Sequence, residues 1–119
     1  MMNAAIIRLD TPASWEACGP APERILQGHP EHRACNAFTD VSGQFHCGRW
    51  SSSPGKWRVR YTESELCVLI AGRVSIESAA GVEQSFAAGD AFVVPAGFEG
   101  TWTVHEACEK FYAIFEPRG

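Results

Sequence analysis

The chain has 119 residues, of which 45% are hydrophobic and 20% are charged, and its formal net charge is −4. This composition suits one globular domain and excludes a wholly disordered chain, because disordered chains are poor in apolar residues and rich in charge. The acidic balance argues against a nucleic-acid-binding surface, which needs an excess of lysine and arginine. No apolar run is long enough to cross a bilayer, and the first residues do not resemble a secretory signal. We therefore expect neither nucleic-acid nor membrane partners.

The first forty residues contain four of the seven prolines, at positions 12, 20, 22 and 30. This excess of prolines predicts that residues 1–40 form an irregular N-terminal arm, and that residues 41–119 form the main globular part of the chain. Within this arm, residues 6–9 could add one strand and residues 14–17 one helical turn.

From residue 41 onward, short runs rich in β-branched and aromatic residues alternate with turn residues. Predicted strands cover residues 44–50, 56–62, 66–70, 73–78, 82–86, 91–94, 101–105 and 110–116. In the second of them Trp57, Val59 and Tyr61 share one face, while Arg58 and Arg60 share the other. Many short strands without a helical period indicate an all-β sandwich or barrel.

Five cysteines stand at positions 18, 35, 47, 67 and 108. Their number is odd and no Cys-x-x-Cys pair occurs, so we expect neither a disulfide framework nor a zinc ribbon. A reducing, cytoplasmic location is the simplest explanation.

Motifs within residues 50–115 resemble those of the cupin superfamily (the RmlC-like jelly rolls). Glu65 followed by Gly72 matches the end of the first cupin motif, and Gly89–Asp90 followed by Pro95 and Gly97 matches the second. Further support comes from segments 53–56, 61–74 and 110–112 and from Trp50, Gly81, Phe86, Phe98, Gly100 and Trp102. More narrowly, the chain resembles small single-domain cupins grouped with ureidoglycine aminohydrolase. The resemblance implies a double-stranded β-helix, which is a jelly-roll barrel that holds a site, and many members of the superfamily are dimers. Because jelly-roll sheets have edges that need covering, we expect a homodimer whose N-terminal strands are exchanged with, or docked on, a neighbouring copy.

Metal-binding cupins hold their ion with a His-x-His pair, a glutamate and a further histidine. Glu65 matches the glutamate, but the paired histidine positions fall on Val59 and Tyr61, or on Arg58 and Arg60. The remaining histidine position falls on Gly100. One ligand of four is too few for a transition metal, so we expect no metal cofactor. A divalent metal near His46 and Glu65 is disfavoured but not excluded, and we expect the spaced histidines of residues 29–32 to lie in a solvated loop.

Strand alternation places the remaining candidate site residues. Glu65 and Cys67 share a face, as do Lys110 and Tyr112. Trp102 shares its face with Gly100, the position at which metal-binding cupins carry a histidine. A buried carboxylate needs a partner, so Glu65 and Lys110 either form an ion pair inside the barrel, assisted by Tyr61 or Tyr112, or both face solvent. The candidate ligand-binding residues are Tyr61, Glu65, Cys67, Trp102, Lys110, Tyr112, His46 and Trp50. Trp57 and Phe92 either line the same pocket or belong to the core.

Three functions fit these residues. The first is a metal-free cupin that binds a small molecule, and the second is an enzyme resembling ureidoglycine aminohydrolase that acts on a small ureido or amino acid. In the second, Glu65 or Lys110 would be the catalytic acid or base. The third is a structural or regulatory module with a vestigial pocket.

Overall fold

In this computed structural model, which describes residues 4–10 and 14–118, nine strands account for nearly all regular structure. The strands are β1 (Glu16–Gly19), β2 (Ile25–Gly28), β3 (His32–Thr39), β4 (Phe45–Ser52), β5 (Gly55–Arg60), β6 (Ser64–Ser78), β7 (Glu83–Ala87), β8 (Ala91–Val94) and β9 (Glu99–Phe115). One 3-10 helical turn, Pro22–Arg24, precedes β2. Residues 1–3, 11–13 and 119, which belong to the ranges predicted as arm and body, lie outside the described residues.

The strands form one antiparallel sheet that curls around two long members, β6 and β9. Along one path the strand order is β1-β3-β4-β9-β5-β2, and β6 joins this path by pairing with β9. The first half of β6 also pairs with β8 and its second half with β7. The result is the predicted all-β jelly roll, in which β9 is central because it pairs with β4, β5 and β6.

The two long strands correct the prediction of separate short strands. Residues 66–70 and 73–78 belong to the single strand β6, which bends at Gly72, where φ is +86°. A Cβ atom at Gly72 would collide with the carbonyl oxygen of Ala107 and the backbone of Cys108. The glycine therefore allows a bend with close approach of β9, rather than a strand end. Residues 101–105 and 110–115 likewise belong to one strand, β9, which ends one residue before the predicted bound.

The expectation of an irregular arm is wrong for much of residues 16–39, which contain three strands. β3 pairs with β4 along almost its whole length, and β2 pairs with β5. The predicted strand at residues 6–9 is absent, and the predicted helical turn at 14–17 overlaps β1. The sequence did not predict these strands because prolines at positions 20, 22 and 30 interrupt the segment, and the strands form by pairing with neighbouring strands.

The side chains inside the curl form a core that adjoins a cavity, and Trp57 and Trp102 belong to both. The core contains Trp57, Leu69, Val74, Trp102 and Val104. The predicted alternation in β5 is confirmed, since Trp57 is buried while Arg58 and Arg60 are exposed. Within residues 4–10 and 14–118, no helix has the length and hydropathy that a membrane crossing requires.

Candidate functional site

A buried ion pair lies at the centre of the candidate site. The Nζ atom of Lys110 is 2.9 Å from Oε2 of Glu65, and the two side chains are only 4% and 7% exposed. The expectation of an ion pair between these residues inside the barrel is therefore confirmed, and the alternative in which both face solvent is wrong.

Strand register explains why these two side chains meet. Glu65 lies near the start of β6, opposite Ile114 of β9, and Lys110 lies opposite Leu69. Both side chains point into the curl, and the long lysine side chain spans the distance between the two registers. On its other side Lys110 is paired with Trp50 of β4, which brings that indole to the same place.

The ammonium group of Lys110 is enclosed by polarizable groups. It donates to Sγ of Cys67 at 3.4 Å and lies 4.6 Å and 4.5 Å from the ring centroids of Trp50 and Trp102. Such cation–π contacts stabilise a cation that has been removed from water. Burial, the largest single cause, lowers the pKa of Lys110, but the charge of Glu65 together with the contact to Cys67 and the hydrogen bonds to both outweighs it, so that the pKa is raised. Lys110 is therefore a protonated ammonium at neutral pH.

Tyr61 is the hydrogen-bond partner of the second carboxylate oxygen of Glu65. Its phenol donates to Oε1 of Glu65 at 3.0 Å. Burial, followed by the charge of Glu65, raises the pKa of Tyr61 far above its usual value. Burial also raises the pKa of the Cys67 thiol to about 12, although Lys110 acts in the opposite direction. At neutral pH, phenol, thiol and ammonium all keep their protons.

These groups form one wall of an open cavity of about 570 Å³. Three indoles, those of Trp50, Trp57 and Trp102, supply its apolar lining. Trp57 and Trp102 are stacked with an interplanar angle of 16°, and Trp50 meets Trp102 edge to face at 66°. The volume and the mixture of aromatic walls with a few fixed polar groups are typical of small-molecule sites.

His32, at the start of β3, is a member of this cavity that the sequence analysis did not find. Its ring packs edge-on against Trp50 and Trp57, at centroid distances of 4.8 Å and 4.3 Å. Burial, followed by the charge of Lys110, lowers the pKa of His32 to about 4, so the ring is neutral at physiological pH. Its Nε2 atom, like Nε1 of Trp102, is buried without a hydrogen-bond partner among the described residues.

Charged residues surround the mouth of the cavity. Arg24, Arg58 and Arg60 line it together with Glu63, and Cys18 lies nearby in β1. Arg24 and Cys18 come from the segment that the sequence analysis predicted as an irregular arm.

The structure brings five of the eight predicted ligand-binding residues to the cavity lining, namely Tyr61, Glu65, Trp50, Trp102 and Lys110. Cys67 lies beneath it, in contact with Lys110. Phe92, also considered for the pocket, stacks instead on Phe86 and lines a separate depression.

Tyr112 and His46 are not brought to the cavity. The phenol of Tyr112 donates to Oδ1 of Asn36 at 2.7 Å, because β3 lies across its path. His46 lies near the start of β4, where its Nδ1 atom is 2.9 Å from the hydroxyl of Thr39, and it does not line the cavity. Direct ligand contact is therefore not supported for either residue.

The residues at the cupin metal position do not fit a metal ion. Both oxygens of Glu65 are engaged by Lys110 and Tyr61. A side chain at Gly100 would collide with the backbone carbonyl of Glu77. Among the residues that the structure describes, no group of three or more histidine, cysteine, aspartate or glutamate side chains converges. The ammonium group of Lys110 already supplies the positive charge beside Glu65 that a metal ion would otherwise supply.

Comparison with known proteins agrees with this architecture. The closely superimposable structures include a DUF861-family protein of unknown function from Pseudomonas syringae pv. tomato, with 30% identity, a TM-score of 0.80 and coverage of 89% of this chain. The chain spans 46% of that protein's length.

The EutQ protein of Clostridium difficile shares the fold with 18% identity and a TM-score of 0.66, over 73% of this chain and 64% of its own. A DUF861-family protein from Thermotoga maritima has 25% identity and a TM-score of 0.53, over 54% of this chain and 73% of its own. No curated protein matches the chain.

The model of the EutQ-like cupin domain matches residues 39–112, which run from the end of β3 through Tyr112 of β9. This span includes Tyr61, Glu65 and Lys110 but neither Arg24 nor His32. The chain therefore belongs to the family of EutQ-like cupin domains.

Proposed function

We propose that this cupin domain binds a small organic molecule in its cavity, and that the Glu65–Lys110 pair serves as the polar anchor in place of a metal. The observation that carries the proposal is the buried pair, 2.9 Å apart, in the wall of a cavity lined by three indoles.

Stability alone gives little reason to bury such a pair. The desolvation of two charges offsets most of their attraction, and apolar residues of similar volume are often as stabilising. Lys110 has three N–H donors, of which Glu65 and the weak acceptor Cys67 engage two. A ligand acceptor would satisfy the third donor, and the indoles would bury an apolar part of the same ligand.

The protonation states favour binding over proton abstraction. Tyr61 and Lys110 both have raised pKa values and hold their protons at neutral pH. Glu65 already accepts a hydrogen bond at each oxygen. Glu65 and Lys110, the candidate catalytic residues, thus act in our proposal by holding the ligand.

Two alternatives remain as outcomes of the test. An enzyme resembling ureidoglycine aminohydrolase would act on a small ureido or amino acid, and that resemblance implies a metal-dependent reaction. The residues at the cupin metal position do not fit an ion, which counts against this alternative. A structural or regulatory module would need no ligand at all, so the three indoles lining an open cavity count against it.

We further propose that the domain forms a homodimer and resides in the cytoplasm. Among the described strands, β1, β2, β7 and β8 each pair on one side only, which leaves edges available to a second copy. Val82 and Val93, near those edges, are 60% and 61% exposed. All five cysteines are unpaired, as expected in a reducing compartment.

A thermal-shift screen tests the proposed function. The wild-type domain would be heated with organic acids, amino acids, ureido compounds, amides and sugars, each at millimolar concentration. Binding raises the melting temperature by mass action, so at least one class should raise it in a concentration-dependent way. Failure of every class would contradict the proposal and support the structural module.

Metal content separates the proposal from the enzyme alternative. Protein purified without chelator should contain no stoichiometric metal, and ligand-induced shifts should persist after EDTA treatment. A stoichiometric divalent ion whose removal abolishes the shifts would contradict the anchor role of the ion pair.

A further inference from the structure

Two arginines, Arg24 and Arg58, lie at the mouth of the cavity. Ile25 of β2 is paired with Trp57 of β5 in antiparallel register. Arg24 ends the 3-10 turn that precedes β2, and this turn packs against β5, the strand that contains Arg58. An anionic group that enters the mouth could accept charge-assisted hydrogen bonds from both guanidinium groups.

The described part of the protein supplies no such anion at ion-pair distance. Arg60 is 3.3 Å from Glu99, but neither Arg24 nor Arg58 forms an ion pair with a described carboxylate. Glu77 and Glu99 border a neighbouring depression shared by the three arginines, and only the Arg60–Glu99 contact is close. Arg24 and Arg58 are both exposed and able to receive a ligand.

The charge of the cavity is opposite to that of the protein. The charged side chains that line it are Arg24, Arg58, Arg60, Lys110, Glu63 and Glu65. Four cations and two anions give a formal charge of +2, whereas the whole chain carries −4. A cleft with one sign of charge and low-dielectric walls concentrates ions of the opposite sign.

We infer that the ligand of this cavity is an organic carboxylate, whose anionic group is held between Arg24 and Arg58 while its apolar part packs on the indoles. Arginine is suited to this role because its planar fork of N–H donors matches a carboxylate. Arg24 lies outside residues 39–112, the segment that the family model matches, so this half of the mouth comes from the N-terminal segment of the chain. The inference rests on the proposed function and specifies its ligand class.

Matched pairs of acid and amide test the inference. The fluorescence of the cavity indoles would be titrated with benzoate against benzamide, and with N-carbamoylglycine against its amide. Each pair differs in charge but hardly in shape. We expect the acid to bind about tenfold more tightly than its amide, with the preference falling as salt rises toward 0.5 M.

Variants of the two arginines test whether Arg24 and Arg58 cause the preference for the acid over the amide. Arg24→Gln and Arg58→Gln should each reduce the preference for the acid severalfold, because they weaken binding of the acid much more than binding of the amide. Arg33→Gln is the matched control, because Arg33 is exposed on β3 and does not line the cavity. Its preference should equal that of the wild type.

The possible failures are distinguishable. Equal binding of acid and amide, or a preference unaffected by Arg24→Gln and Arg58→Gln, would overturn the carboxylate inference and leave ligand binding itself intact. If the broader screen yields only neutral or cationic ligands, the inference is likewise overturned. Absence of binding by any compound would contradict the proposed function and the inference together.

Discussion

Replacing Lys110 with methionine keeps most of the side-chain volume and removes the ammonium group from a position where it is almost fully buried. The substitution leaves the Glu65 carboxylate buried with Tyr61 as its hydrogen-bond donor. Removal of one partner of a buried pair typically costs 3 to 5 kcal/mol, and the contacts with two indoles are lost as well. We expect Lys110→Met to lower the free energy of unfolding by about 4 kcal/mol.

A second variant separates the ion pair from packing. In the double variant Glu65→Gln/Lys110→Met the neutral amide oxygen still accepts the Tyr61 hydrogen bond, and no unpaired charge is buried. We expect the double variant to be about 2 kcal/mol more stable than Lys110→Met alone, since contacting residues are not additive. Lys56→Met, at the only other lysine of the chain, should change stability by less than about 0.5 kcal/mol.

Urea unfolding followed by circular dichroism measures these differences, provided that the transition is two-state. The reasoning would be refuted if Lys110→Met cost no more than Lys56→Met. It would also be refuted if the double variant were no more stable than the single one, because the loss would then arise from packing and not from an uncompensated charge.

Three further predictions concern stability. His32→Phe removes a ring whose pKa falls from 6.5 to about 4 on folding; the wild type should therefore lose up to about 3 kcal/mol as pH falls from 6.5 to 4, and the variant should show a flatter pH profile in urea unfolding. An unchanged slope would contradict burial of the neutral ring. Gly100→Ala should cost about 3 kcal/mol or more because its Cβ meets the backbone of β6, whereas Gly81→Ala, with open space but φ of +87°, should cost about 1 kcal/mol; equal melting temperatures would contradict this close approach. Tyr61→Phe removes the donor to Glu65 and should cost about 1.5 to 3 kcal/mol in the same assay; a neutral result would show that water or another group replaces the phenol.

The central ion pair was predictable from sequence because two simple rules coincide there. Alternation places Glu65 on an inward face of a strongly apolar run, and a buried carboxylate requires a partner. Lys110 was the economical partner on the last strand, and Tyr61 one of two possible donors. The same rules did not distinguish Tyr61 from Tyr112, because alternation predicts both on inward faces. Only the position of Asn36 on β3, which binds the phenol of Tyr112, decides between them.

Arg24 and His32 were not predictable in the same way. Both lie in a segment whose prolines and glycines resemble loop punctuation, and their positions depend on strand pairings that form only in the tertiary structure. The histidine spacing at residues 29 and 32 indicated a solvated loop, yet His32 begins β3 and is buried. Burial along β3 does not alternate strictly, so no period-2 signal was available to outweigh Pro30.

The continuity of β6 and β9 was also beyond sequence patterns. The predicted strands 66–70 and 73–78 are separated at Gly72, because a glycine after an apolar run commonly marks a turn. Instead the strand continues with a register shift, because the backbone of β9 approaches too closely for any side chain. Such a distinction depends on the neighbouring strand rather than on the local sequence.

The most direct test of the ion pair as ligand anchor is a fluorescence titration of the folded double variant Glu65→Gln/Lys110→Met with the best ligand from the screen. The variant keeps all three cavity indoles and has a neutral pair of matching size. We predict that its affinity falls at least about tenfold relative to the wild type, as expected for loss of a charge-assisted contact. Affinity equal to that of the wild type would contradict the anchor role and leave the pair as a structural element of the barrel.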